Sequence, residues 1–176
     1  MMKNALLLAL LLALSASSFA QRNSAAKAAP GGGNQVLPLA SSFLGTWEWH
    51  SGTDVFRIVL TRDNAYPAPN GKLYSVILGR HSYAKNGVVI EETFTKSPSV
   101  PKEWSLLTIP REEWRLVMGF MDQTKQKSGS AELIINPNTP NQLSFSLKET
   151  MGTVSLNTPN VVGFTIPTAM TLTRVP

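Results

Sequence analysis

Phe43-Leu44-Gly45-Thr46-Trp47-Glu48-Trp49 follows a polar linker and opens the first strand-like segment of the chain. Gly45 suits a tight turn into a strand, and the large aromatic two positions later calls for a buried seat. From Phe43 onward, short runs of alternating apolar and polar residues recur between turn signals, and no window holds a helical period over three turns. The strand candidates are 45–50, 54–61, 73–83, 87–95, 104–109, 114–121, 131–136, 142–149 and 164–174. The texture predicts an all-β fold, an antiparallel up-and-down β-barrel of about eight or nine strands.

Turns punctuate these runs at Pro67-Ala68-Pro69-Asn70-Gly71, Asn86-Gly87 and Pro137-Asn138-Thr139-Pro140-Asn141. Asn86-Gly87 is a hairpin signal, since both residues tolerate the positive φ of a type I′ turn. Alternation is clearest in Gln142–Lys148, where Leu143, Phe145 and Leu147 face inward and Gln142, Ser144, Ser146 and Lys148 face water. Pro98, Pro101 and Pro110 bracket 104–109 and suggest a loop with a short edge strand. Arg111-Glu112-Glu113-Trp114-Arg115 reads either as the start of a short helix or as a turn leading into a strand.

In the last segment Phe164, Ile166, Met170, Leu172 and Arg174 share one parity. An arginine at the end of an apolar face needs a partner, and Trp47 can supply an aromatic face for it. The expected structural pair at the barrel end is Trp47 with Arg174.

Taken together, Phe43-x-Gly45-Thr46-Trp47-x-Trp49, Phe56–Leu60, Tyr74–Gly79 before Tyr83-x-x-Asn86-Gly87, and Phe164–Arg174 resemble an uncharacterised family of small exported proteins from Bacteroidetes-type bacteria. The resemblance covers residues 43 to 174. It implies a fold and a compartment, and no activity. Members are often lipoproteins or carry Cys, and this chain has no Cys, so a lipid tether is not carried over. Gly45-Thr46-Trp47 is also similar to the start of lipocalin and avidin-like barrels, the calycins. That likeness implies a lipocalin-like barrel in which the Gly turns the chain into strand one and the Trp plugs the closed end, paired with an Arg of the last strand. Avidin-like proteins need several binding tryptophans, and Trp104 and Trp114 sit in segments unlike those strands, so biotin binding is not implied.

Residues 1–20 read as a signal peptide. Lys3 precedes an apolar run from Ala5 to Leu14, and the small residues Ser18 and Ala20 predict cleavage after Ala20. That run is too short for a membrane span, which takes about 18 apolar residues or more. Residues 21–41, rich in Ala, Ser, Gly and Pro, read as a flexible leader, and 42–176 as a single barrel domain. The expected location is periplasmic or secreted. Of 176 residues, removing 20 leaves 156, enough to fold on a hydrophobic core without disulfides.

The whole chain carries a formal net charge of +5. Lys3 lies in the signal peptide and Arg22 and Lys27 in the leader, so the body has only a small basic excess with both signs interspersed. A nucleic-acid partner would need clustered positive charge, and none is expected.

The sequence offers no catalytic motif: no nucleophile elbow, phosphate loop, zinc-protease helix or dinucleotide fingerprint. Ser130 reads as a turn serine. A zinc site would have to combine His50 and His81 with carboxylates such as Glu48 or Asp54, and their spacing does not support it, so neither a metal nor a cofactor is implied. His81 shares parity with Ser75 and Ile77, opposite Tyr74, Val76 and Leu78, and reads as a surface or rim histidine. In Glu91-Glu92 and Glu112-Glu113 adjacent side chains point to opposite faces of a strand, so each pair gives a site at most one carboxylate. Glu92, on the parity of Val88, Ile90 and Phe94, is the candidate inward handle or rim group, and the one an enzyme in the barrel mouth would use.

Phe56, Tyr74, Met118, Phe120, Phe145, Phe164 and Met170 are the candidate barrel lining. Two readings follow. A hollow barrel would hold a small apolar ligand against those residues. A filled barrel would bind a protein or glycan partner through its loops, with Tyr66, Trp104 and Trp114 as exposed candidates. The sequence leaves the oligomeric state open.

Overall fold

The computed structural model describes residues 38–95, 105–150 and 162–176. A short 3-10 helix, Pro38–Phe43, leads into nine strands: β1 (Gly45–Ser51), β2 (Asp54–Pro67), β3 (Leu73–Lys85), β4 (Val88–Glu92), β5 (Leu106–Thr108), β6 (Arg115–Asp122), β7 (Lys127–Ile135), β8 (Gln142–Glu149) and β9 (Ala169–Val175). Every pairing is antiparallel, and β9 returns to β1, so β1, β2, β3, β5, β6, β7, β8 and β9 close an eight-stranded up-and-down barrel. β4 is the extra strand, paired with β3. Among the described residues no helix is long and apolar enough to cross a membrane.

β4 and β5 lie on the same flank of β3, one after the other. Ser82 pairs with Glu92 and Gly79 with Leu106, while Thr93 N–H donates to the His81 carbonyl and Ser105 N–H to the Gly79 carbonyl. The two follow one another along β3, β4 beside Ser82–Lys85 and β5 beside Ile77–Gly79. The expected single strands 87–95 and 104–109 shorten accordingly, and Trp104 lies outside the described residues. The remaining expectations shift at their ends. β2 runs on past residue 61 to Pro67 and pairs Tyr66 with Tyr74, so Tyr66 is a strand residue. Residues 112–114 are bends before β6, without a helix. β9 begins at Ala169 because Pro167 brings no N–H to a ladder and Thr165 is bonded to Asp122 instead.

Among the described residues the interior is filled. Residues lining a space large enough for water would keep accessible surface, and Trp47, Phe56, Ile58, Ile77, Leu106, Met118, Leu133, Leu143 and Leu172 have none. That fits an eight-stranded barrel, whose bore is about as wide as the side chains that fill it. Gly79 on β3 is part of this fit: a Cβ there would stand 2.8 Å from the Cβ of Leu106.

One end is closed by the 3-10 helix and the Trp47 pair. Gly45 takes φ 117°, a conformation open to glycine, as it turns into β1. Trp47 Nε1 donates to the Phe43 carbonyl at 2.8 Å, and the Arg174 guanidinium lies 4.2 Å from the Trp47 ring centroid. Arg174 also donates to the carbonyls of Leu44, at 2.8 Å, and Ser42. The guanidinium donates to one carbonyl of the last helical turn, Ser42, and to one just past it, Leu44, while its flat face covers the indole.

Candidate functional site

The opposite end holds the buried polar groups. His81 is completely buried between aromatic rings, with centroids 5.7 Å from Phe56 and 5.0 Å from Phe120. Its Nε2 lies 2.8 Å from Glu91 Oε1, and its Nδ1 has no hydrogen-bond partner among the described residues. Glu91, also buried, accepts from the backbone N–H groups of Gln123, at 3.0 Å, and Thr124, at 3.2 Å. These two donors belong to the β6–β7 turn, so the carboxylate bridges the wall where β4 and β6 make no backbone pairing. Burial pushes the Glu91 carboxyl up, but hydrogen bonds from His81, Thr124 and Gln123 together outweigh it and hold the pKa at about 2. An ionised carboxylate can only accept, so Nε2 of His81 carries the proton between them.

A carboxylate-oriented imidazole is half of a general-base dyad, but a base must reach the proton it takes. Here the rings of Phe56 and Phe120 flank the imidazole and His81 exposes no surface, so the pair works as a strut in the wall. Beside it, Asp122 is fully buried and accepts from Lys125 N–H at 2.7 Å, Thr165 N–H at 2.6 Å and Thr165 Oγ1 at 2.9 Å. That latch holds the segment before β9 over the mouth. Phe164 lies edge-on to Phe120 at 6.0 Å and against Gly129, where a Cβ would stand 2.6 Å from the ring.

Outside the wall the strongest feature is the β3–β4 hairpin. Asn86 and Gly87 take φ 52° and 76°, both positive as an Asn-Gly hairpin turn requires. The register slips by one residue between Tyr83 and Ala84, a β-bulge at Ile90. Val88, Val89 and Ile90 are exposed by 62%, 63% and 43% in succession. Elsewhere two shallow grooves mark the outer wall. One, of about 420 Å³, runs between β1 and β9 past Glu48, Trp49, His50, Thr171 and Thr173. The other, of about 380 Å³, passes Ile109, Pro110, Arg111 and Val117. At the first, Glu48 accepts from Arg57 at 2.5 Å and lies 3.0 Å from His50. Burial raises the Glu48 carboxyl, and these two partners more than offset it, leaving a net lowering.

The candidate lining residues divide. Phe56, Met118, Phe120, Phe145 and Met170 are buried inside, and Phe164 packs on them from the mouth. Tyr74 does not line the interior: it is half-buried, with Oη 3.4 Å from Asn70 Nδ2. On β3 the inward parity is that of Ile77, Gly79, His81 and Tyr83, which places Tyr74 on the other face and corrects the reading of His81 as a rim residue. The alternation misled because Val76 and Leu78 on the outward parity are buried too. Glu92 is corrected in the same way. The bulge turns Glu91 inward instead, and Glu92 accepts from the N–H groups of Phe94 and Thr95. Trp114 packs against the core and is no loop platform. Glu91 and Asp122 carry no motif that marks them.

A family model described as a family of unknown function (DUF6705) matches residues 2–175. No curated protein and no solved structure matches the chain.

Proposed function

The chain belongs to that family of unknown function, and we propose that it is an exported, non-catalytic binding protein whose filled barrel is a scaffold for contacts with another protein on its outer surface. The carrying observation is that, among the described residues, the side chains at the centre of the barrel, Trp47, Phe56, Met118, Leu133 and Leu172 among them, keep no accessible surface. A carrier of a small hydrophobic molecule needs a cavity of about 300 Å³ or more, sealed from water and lined by these same residues. The buried ionic pair that resembles a catalytic dyad, His81 with Glu91, is sealed in the wall. A protein partner is favoured over a glycan because the exposed run at Val88–Ile90 is aliphatic, without the polar groups that sugar hydroxyls require.

Export to the periplasm or the cell exterior, with cleavage after Ala20, rests on Lys3, the apolar run that follows it and Ser18 and Ala20. Kinship with lipocalin-type barrels draws support from Gly45, Trp47 and Arg174 at the closed end. Native mass spectrometry of the mature protein, purified gently from the producing organism, tests the reading. A bare polypeptide mass, or one carrying a second polypeptide, is the expected result. A small co-purifying species released on denaturation would overturn it.

A further inference from the structure

We propose that the β6–β7 turn is a coupling element that joins β4 to the strap over the barrel mouth, residues 162–168, so that displacing β4 opens the strap and opening the strap loosens β4. The device is independent of what the outer wall binds. Between the end of β6 at Asp122 and the start of β7 at Lys127, three successive N–H groups are taken by two buried carboxylates. Glu91 of β4 accepts from Gln123 at 3.0 Å and Thr124 at 3.2 Å, and Asp122 accepts from Lys125 at 2.7 Å. Successive N–H groups converging in a turn make a concavity that favours negative charge, and here the chain fills it with its own acids. Gln126 then closes the turn at φ 51°, a left-handed conformation uncommon outside glycine. The shape of the turn therefore depends on where β4 holds Glu91.

The strap is fastened from the same few residues. Thr165 donates to Asp122 through its N–H at 2.6 Å and its Oγ1 at 2.9 Å, and Lys125 Nζ donates to the Val162 carbonyl at 3.0 Å. The Lys127 ammonium lies 5.2 Å from the centroid of the Phe164 ring. Gln123 and Thr124, which follow Glu91, thus sit between Asp122 and Lys125, which hold the strap. A shift of the first pair is passed through the backbone to the second. At its far end the strap is pinned to β8, where Leu147 N–H donates to the Thr168 carbonyl at 2.8 Å, so opening swings residues 162–167 about Thr168 and lifts Phe164 and the buried Ile166 from the mouth. Coupling between two places requires an element whose equilibrium both of them bias, and the turn carries both sets of bonds.

Amide hydrogen exchange of the mature chain, read residue by residue, tests the link. Thr165 N–H reports the strap, and Thr93 N–H, which donates to the His81 carbonyl at 2.9 Å, reports the end of β4. Glu91→Gln should quicken exchange at Thr165 about ten-fold, with the shallow urea dependence of a local opening. Thr165→Val, which removes the Oγ1 bond and leaves the N–H bond, should quicken exchange at Thr93, because coupling is reciprocal. This second arm stands by itself if Glu91→Gln does not fold. Leu44 N–H, bonded to the Ser41 carbonyl at the closed end, should not change in either variant. Combined, the two substitutions should lower the urea midpoint by less than the sum of their separate effects, since a released turn no longer holds either side. Quickening confined to Thr93 in Glu91→Gln and to Thr165 in Thr165→Val overturns the proposal. So does an equal rise throughout the barrel, Leu133 included, or strict additivity in the double variant.

Discussion

Replacing Glu91 by Gln tests whether one buried carboxylate fastens β4 to the rest of the wall. In the folded protein the carboxyl is held near pH 2 against a usual value of 4.5. At about 1.36 kcal/mol per tenfold change in acidity, that difference corresponds to about 3 kcal/mol of stability. Because the folded pKa is the lower one, the contribution is complete above about pH 4.5 and disappears as the pH falls toward 2. Gln can still accept one backbone N–H, but its amide would present a donor to the donor on His81 Nε2, or leave that donor unpaired. Urea unfolding followed by tryptophan fluorescence, at intervals from pH 7 down to pH 2.5, measures both effects. The unmodified protein should lose about 3 kcal/mol more than Glu91→Gln over the acid range, and Glu91→Gln should start about 3 kcal/mol lower at pH 7. Parallel pH profiles for the two proteins would refute the assignment of the carboxylate as an ionised strut.

The other predictions concern packing. Trp47→Ala should cost about 3–5 kcal/mol, read as a fall in the urea midpoint, because a fully buried indole leaves a cavity. Arg174→Gln leaves the Leu44 and Ser42 carbonyls short of a donor and should cost about 1–3 kcal/mol, with increased hydrogen exchange confined to the segment before β1. Two glycines separate close packing from open space. Gly129→Ala drives a methyl to 2.6 Å from Phe164 and 2.9 Å from the Lys148 carbonyl and should cost about 1–3 kcal/mol, whereas at Gly119 the nearest atom is 3.9 Å away and Ala should leave the thermal midpoint within error.

Most strand positions were legible because one face of each was clearly polar. Gln142–Lys148 alternates without ambiguity, and its inward set Leu143, Phe145 and Leu147 is buried. β3 was not legible in this way, since Val76, Ile77, Leu78 and Gly79 are buried on both faces and parity there carries no sign. β4 failed for a different reason: one bulged residue exchanges the faces of everything beyond it, and nothing local in Val88-Val89-Ile90-Glu91-Glu92 announces a bulge. The polar cluster inherits both ambiguities, because His81 lies on the first strand and Glu91 on the second. Arg174 was readable because a single charge ended an otherwise apolar parity, and such a side chain has few places to go.

Access to the interior sets a further demand on any ligand held there. Opening the mouth means breaking the two hydrogen bonds from Thr165 to the buried Asp122 carboxylate and exposing Ile166 with the ring of Phe164. Hydrogen bonds to a charged acceptor contribute about 1.5–3 kcal/mol each, and a buried apolar side chain a similar amount. Two such bonds and two such side chains come to about 6 kcal/mol or more, which leaves the open form at no more than about one molecule in twenty-five thousand and weakens the apparent affinity of a ligand by the same factor. A ligand seen at micromolar affinity would therefore need a subnanomolar intrinsic constant for the open barrel. Asp122→Asn separates the cases. By weakening the latch it should raise ligand uptake by orders of magnitude if the interior is a binding site. If the outer wall does the binding, the same variant should lower stability and change nothing else.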